Sequence, residues 1–221
     1  MPNPNLTVSL LTPGEAPQYQ SIRHETFRDT VNKILYTREP SEKTQARVVA
    51  EIKDAITDKG VLYLKCVDKA TGDIIAGARW RYLRPKDPEA SLRTDEELDA
   101  DLSVPEPFDE SDPGLFRSLF TLFHAGKRRH LANRPYYCLD TLVTHPNHHR
   151  RGAGSMLIEW GTTKADEAGV ECYLEASPMG EPLYAKHGFE RLEEVGLNLR
   201  GFGGDVDELR FIVSPFGSTR G

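Results

Sequence analysis

The stretch from Leu139 to Phe189 constrains this chain more than any other. It opens on an apolar run, Leu139 to Thr144, that reads as a strand. A basic turn follows, His149-Arg150-Arg151-Gly152-Ala153-Gly154-Ser155, and then a helix with Ala153, Met156, Leu157 and Trp160 on its apolar face. That helix ends at Ala168-Gly169, Val170 to Ala176 reads as a second strand, and Gly180 to His187 as a short helix. Glycines in such a turn let backbone N–H groups approach a ligand closely, and a helix N-terminus favours an anion. With two arginines beside it, the turn suits a phosphorylated ligand.

The rest of the chain supplies elements around this centre. Leu6 to Leu11 reads as a strand, and a helix follows Pro13-Gly14-Glu15 and runs to about Phe27, where the pattern weakens. Ser41 is placed to cap a second helix whose apolar face is Val48, Val49, Ile52 and Ile56, with a stop at Lys59-Gly60. Val61 to Val67 and Ile74 to Tyr82 read as a hairpin. Leu115 to Leu131 reads as a helix with Phe116, Leu119, Phe120 and Phe123 on one face. The basic run Lys127-Arg128-Arg129-His130 ends it, as the helix dipole favours. Glu190 to Leu197 and Glu208 to Val213 read as the last strands, separated by a loop, Arg200 to Gly204, too Gly-rich for an element interior.

At 221 residues the chain is expected to form one domain over residues 1–221. Its net charge of −6 argues against general nucleic-acid binding but leaves room for a local basic pocket. Between Leu83 and Asp112 there are 11 acidic and 3 basic residues, a balance of −8, so the remainder of the chain stands near +2. This acidic insertion reads either as a solvated segment with one short helix or as a wall that attracts a cationic substrate. Cys66, Cys138 and Cys172 each lie in an apolar run without metal spacing. They are expected to be buried thiols in a reducing, cytoplasmic setting. The first 17 residues lack a signal-peptide pattern, no run approaches membrane-spanning length, and Asn5-Leu6-Thr7 reads as a chance glycosylation spacing. His145, His148 and His149 have suggestive metal spacing, but Pro146 interrupts any helix that would align them, so no metal is expected.

Taken in order, the strand Leu139–Thr144, the turn, and Leu183-Tyr184-Ala185-Lys186-His187-Gly188-Phe189 resemble the GNAT acetyltransferase superfamily. The superfamily turn, Gln/Arg-x-x-Gly-x-Gly/Ala, stands here as His149-Arg150-Arg151-Gly152-Ala153-Gly154, with His149 the departure. The later Tyr-x-x-x-Gly-Phe stands as Tyr184 to Phe189, and Gly77 after Ile74-Ile75-Ala76 resembles the superfamily's third strand.

The resemblance implies a mixed α/β (α+β) domain. Its central, mostly antiparallel sheet has about seven strands, with a splay between strands 4 and 5 and helices on its flanks. It also implies an acyl-CoA-dependent N-acetyltransferase with acetyl-CoA as co-substrate and a small-molecule primary amine as acceptor, a protein lysine being the other acceptor class. Nucleic acid and membrane are not expected partners. The amides of Arg150, Arg151, Gly152, Ala153, Gly154 and Ser155 would hold the CoA pyrophosphate. The backbone of Leu142 and Thr144 would pair with the pantetheine arm, an N–H near Leu142 or Val143 would polarise the thioester carbonyl, and Ser177 would touch the cofactor arm. Tyr184 would protonate the departing thiolate.

For the amine's proton, Asp140 stands two residues before Leu142, a spacing that places both side chains on one face of a regular strand. It reads either as a general base or as a structural carboxylate, with Glu175 a second candidate base. Cys138 lies on Asp140's side, which keeps a covalent route open. A preference for a cationic acceptor follows from the acidic insertion. Two rivals stand beside this reading. One is a dinucleotide-binding oxidoreductase, opposed by Leu157 at the third glycine position and by the long basic run before Gly152. The other is a non-catalytic acyl-CoA-binding module.

Overall fold

The computed structural model describes residues 3–199 and 208–216. Seven strands form one sheet in the order β1-β2-β3-β4-β5-β7-β6. They are β1 (Leu6–Leu10), β2 (Leu62–Asp68), β3 (Ile74–Leu83), β4 (Tyr136–Thr144), β5 (Glu171–Ala176), β6 (Glu193–Asn198) and β7 (Glu208–Phe216). Every neighbouring pair is antiparallel except β4 and β5. The helices are α1 (Ala16–Phe27), α2 (Val31–Leu35), α3 (Glu42–Thr57), α4 (Asp95–Asp101), α5 (Pro113–His130), α6 (Ala153–Ala168) and α7 (Glu181–Lys186). The Gly-rich loop at 200–204 lies outside the described residues.

Local chemistry sets the helix ends. Ser41 Oγ accepts from the Thr44 amide to start α3, and the Asp112 carboxylate accepts from the Gly114 and Leu115 amides to start α5, with Pro113 in the first turn. Gly152 (φ 90°) and Gly169 (φ 66°) bracket α6 in the left-handed region. Helix α2 has no counterpart in the sequence reading. It is one short turn after the α1 pattern fades, held because Ile34 and Leu35 are buried against Leu115, Phe116 and Leu119 of α5.

The helices divide between two sheet faces. Leu157, Ile158 and Ala165 of α6 pack on Ala76, Ala78, Trp80, Leu139 and Leu174. On the other face, α1 and α3 pack on Tyr63 and Val143, while Leu131, just past α5, packs with Tyr136, Cys138 and Tyr173. Two glycines permit this closeness. A Cβ on Gly77 would lie 2.6 Å from the Tyr19 ring of α1, and one on Gly161 would lie 2.1 Å from the Trp80 indole. Trp80 is fully buried and its Nε1 donates to Leu157 O at 3.3 Å, so it has little room to yield.

The acidic stretch is ordered, and most of its carboxylates have structural partners. Glu97 accepts from the Thr94 and Lys86 amides. Asp101 pairs with buried Arg93, Asp99 with Arg128 and Asp109 with Lys43. Glu110, 3% exposed, accepts from Thr44 Oγ1 at 2.6 Å and from the Ser41 amide at 3.1 Å, tying the insertion to the start of α3. Most of these acids thus serve as caps or in ion pairs that tie the insertion to the rest of the fold.

Gly161→Ala measures the α6–sheet contact. Alanine gains about 1 kcal/mol of helix propensity, and the clash with Trp80 costs about 1–3 kcal/mol. Urea denaturation is expected to show a net loss of up to about 2 kcal/mol with an unchanged m-value.

Candidate active site

Strands β4 and β5 run side by side for a short distance only. Their register goes from Tyr136 opposite Glu171 to Leu139 opposite Leu174 and then stops, although β4 continues to Thr144 and β5 to Ala176. Beyond that point the β5-facing edge of β4 has no strand partner among the described residues. The expected splay is therefore present, and it starts at Asp140 and Glu175.

A β-bulge marks the same place. On β3, Arg79 faces Thr141 and Trp80 faces Leu139, which leaves Asp140 as an extra residue on β4. The bulge reverses the alternation of side chains. Leu139 and Leu142, three residues apart, both pack on the α6 side, while Val143 packs on the α1 side. The expectation that Asp140 and Leu142 share a face is thereby corrected. Asp140 lies on the opposite face, with Arg81 and Cys138.

Its surroundings favour the structural one of the two roles considered for it. Both Asp140 oxygens accept from Arg81, at 2.6 and 2.9 Å, and Cys138 Sγ donates to Oδ1 at 3.3 Å. Burial would raise the Asp140 pKa, but the guanidiniums of Arg81 and Arg79 outweigh it and hold the carboxyl well below the usual carboxylate range. A carboxylate so stabilised is a poor proton acceptor, and Asp140 anchors the bulge. Glu175 is ion-paired as well but shifts the other way. Lys127 Nζ donates to its two oxygens at 2.8 and 3.1 Å, and burial pushes the Glu175 carboxyl above the usual carboxylate range despite the pair. Burial, with Asp140 nearby, pushes the Cys138 thiol far up, so a thiolate for a covalent route is disfavoured.

The turn before α6 has the opposite character. Arg150 (φ 60°) and Gly152 (φ 90°) are both left-handed. The run of N–H groups from Arg150 to Ser155 donates no hydrogen bond to any described residue, and the first bond of α6 is Met156 N–H to Gly152 O. Unpaired amides at the mouth of a helix make an anion site. Arg150 is exposed and without an ion pair among the described residues, whereas Arg151 donates to Asp68 at 2.7 Å and to His148 at 3.0 Å. Only one of the two arginines therefore adds free charge. His149, the departure from the superfamily pattern, folds back and donates to Thr144 O at 3.0 Å, which also accepts from Thr26 Oγ1 at 3.2 Å. Among the three turn histidines, His145 accepts from the Asn147 amide, so each has its own local partner.

Gly154 lies against α7, because a Cβ there would be 3.1 Å from Leu183. The contact brings Tyr184, half-buried with its ring edge-on to Phe189 at 6.0 Å, to the α6 side of the splay. Burial raises the Tyr184 phenol pKa, so its proton is present at neutral pH. Ser177 closes the turn after β5, with its Oγ and its carbonyl both accepting from the Gly180 amide. In the sequence His124 of α5 reads as an ordinary solvated or packed histidine. Burial, then Lys127 and Arg81, lowers its pKa to about 4, leaving a neutral imidazole on the α5 side.

A parallel strand pair that parts beside an unpaired helix N-terminus, in an otherwise antiparallel sheet, defines the fold of CoA-dependent acyltransferases of the GNAT type. Residues 122–191 match the family described as the acetyltransferase (GNAT) domain. A probable acyltransferase, SID5, of Ajellomyces capsulatus is 40% identical over 45 residues, which is 20% of this chain and 33% of that protein. The match thus spans about a third of that relative. A mosquito arylalkylamine N-acetyltransferase-like protein superposes with a TM-score of 0.64 at 13% identity, over 95% of this chain and 98% of that one. The Drosophila melanogaster polyamine N-acetyltransferase, which forms N-acetylagmatine, gives 0.64 at 12% identity, over 96% and 99%. Residues 122–191 thus match the GNAT acetyltransferase domain, and the fold as a whole is the one these acetyltransferases have.

Asp140→Asn tests the anchoring role. Leaving Arg81 without its counter-ion is expected to cost about 3–5 kcal/mol at neutral pH. The folded-state pKa lies below the unfolded value, so the carboxylate stabilises the fold fully above about pH 4 and loses that effect as the pH falls further. The wild-type acid-side loss of stability should be smaller in the variant, as followed by urea midpoints between neutral and acid pH.

Proposed function

We propose that the chain transfers an acetyl group from acetyl-CoA to a primary amine by direct attack in a ternary complex. The observation that carries this reading is the row of unpaired amides from Arg150 to Ser155 at the start of α6, beside the open edge of β4. They would hold the CoA pyrophosphate, with Arg150 adding charge. The pantetheine arm would lie along the edge of β4 that β5 leaves at Leu142 to Thr144, with the Thr144 carbonyl itself taken by His149 and Thr26. There a backbone N–H near Leu142 or Val143 would stabilise the tetrahedral oxyanion, with Ser177 and the turn it closes on the other side. Tyr184 would donate its proton to the CoA thiolate as the C–S bond breaks. The amine would pass its proton to water or to Glu175, whose basicity burial raises, because Asp140 is committed to Arg81. No metal enters this scheme.

A small-molecule amine is the acceptor class we favour over a protein lysine. The three free, buried cysteines, with Cys66 pushed up to about 11 by burial, support a reducing compartment such as the cytoplasm. No described helix is long and apolar enough to cross a membrane.

Calorimetric titration with acetyl-CoA, with NADH and NADPH as controls, tests the cofactor assignment. Acetyl-CoA should bind saturably in the wild type and fail to bind in Gly152→Glu, which places a carboxylate and an unfavourable φ at the anion site. Nicotinamide binding instead would contradict the reading. In steady-state assays Tyr184→Phe should lower kcat by about 10²-fold or more with acetyl-CoA affinity unchanged. Unaltered kcat would remove Tyr184 from the mechanism.

A further inference from the structure

Hydrogen bonding along β4 shows which of its backbone groups face the opening. Thr144 stands opposite Ala76, and the next amide, His145 N–H, donates to Ile75 O at 2.9 Å. In an antiparallel pair, successive residues turn their backbone groups to alternate edges. The N–H and C=O of Thr144, and those of Leu142 opposite Ala78, therefore point away from β3. They point to the edge that β5 has left.

One of these groups is already filled. The Thr144 carbonyl accepts from His149 Nε2 at 3.0 Å and from Thr26 Oγ1 at 3.2 Å. A carbonyl oxygen has two lone pairs, so a further donor must displace one of the two. Thr26 is half-buried on α1, where its hydroxyl ties the helix to β4. His149 is exposed, stands five residues from its acceptor, and makes this single ring hydrogen bond among the described residues. Turning the imidazole into water exchanges one exposed hydrogen bond for another and shifts no element of the fold. Releasing Thr26 would loosen α1 from the strand. Of the two donors, His149 is the one free to leave.

We propose that His149 is a displaceable latch on the cofactor edge. Its imidazole holds the Thr144 carbonyl in the free protein and yields it to an amide N–H of the pantetheine arm. The inference rests on the acetyl-CoA reading above. It makes the departure from the superfamily turn pattern a competitor for the arm, and not a ligand of the phosphates. Because the latch bond is broken on binding, the site holds acetyl-CoA less tightly than the same site would without the imidazole.

The test is calorimetric titration of the wild type and His149→Ala with two ligands. Acetyl-CoA has the whole arm. 3′-Phospho-ADP, the nucleotide half of CoA, has the phosphates and no arm. The readout is the ratio of the two affinities, in which any general loosening of the turn cancels. His149→Ala should raise that ratio in favour of acetyl-CoA by about two- to tenfold, the net worth of one hydrogen bond. In a Thr26→Val background the carbonyl has a lone pair to spare, so the same change should raise the ratio by clearly less. A ratio that stays or falls in His149→Ala overturns the latch, and an equal loss for both ligands would make His149 a residue of the phosphate turn. An undiminished rise in the Thr26→Val background overturns the competition for Thr144. Failure of the wild type to bind acetyl-CoA at all overturns the cofactor reading, and this inference with it.

Discussion

Asp140 and Glu175 stand one step beyond the last paired residues of β4 and β5, on the same face, with their carboxylates buried. Two buried negative charges at one level of a strand pair repel, and each is held instead by its own cation. Arg81, on the strand beyond β4, takes Asp140, and Lys127, on a helix above the sheet, takes Glu175. One carboxylate is drawn across β4 and the other up toward α5. The bulge at Asp140 lets β4 bend without losing its pairing to β3, which resumes at Thr141 and runs to Thr144. The ion pairs and the bulge fix where the sheet opens.

Once the strands part, the remaining geometry follows from chain connectivity. The segment that leaves β4 turns through left-handed Arg150 and Gly152 and starts α6 with its first amides unpaired. Helix α6 packs tightly because Gly161 admits the Trp80 indole. Helix α7 then closes on Gly154 and brings Tyr184 to the same side. The α6 face of the opening therefore presents amide donors and a phenol, and the opposite face presents guanidiniums.

Most of this was legible where the chemistry is local. The β4 limits, Tyr136 and Thr144, follow from its apolar run, and the α3 start follows from Ser41, whose hydroxyl caps it. The turn from His149 to Ser155 and the tyrosine before Gly188-Phe189 indicated cofactor chemistry from their order alone. The bulge was not legible. Nothing in Cys138-Leu139-Asp140-Thr141-Leu142 departs from alternation in a way that marks an extra residue, so Asp140 was placed on the wrong face. Residue types also hid their partners. The carboxylates between Leu83 and Asp112 look like a charge surplus in sequence, but they cap helices and pair with Lys43, Arg93 and Arg128 across long chain separations. Helix α2 has too few residues for a period, and only its burial against α5 defines it.

The central claim is that the amides from Arg150 to Ser155 are the cofactor's anion site. Amide hydrogen exchange across that segment, with and without saturating acetyl-CoA, tests it most directly. In the free protein these N–H groups have no acceptor among the described residues and should exchange rapidly. With acetyl-CoA bound they should slow markedly, together with the free edge of β4 at Leu142 to Thr144. Saturating acetyl-CoA that slows exchange elsewhere but leaves Arg150 to Ser155 unchanged would contradict the account.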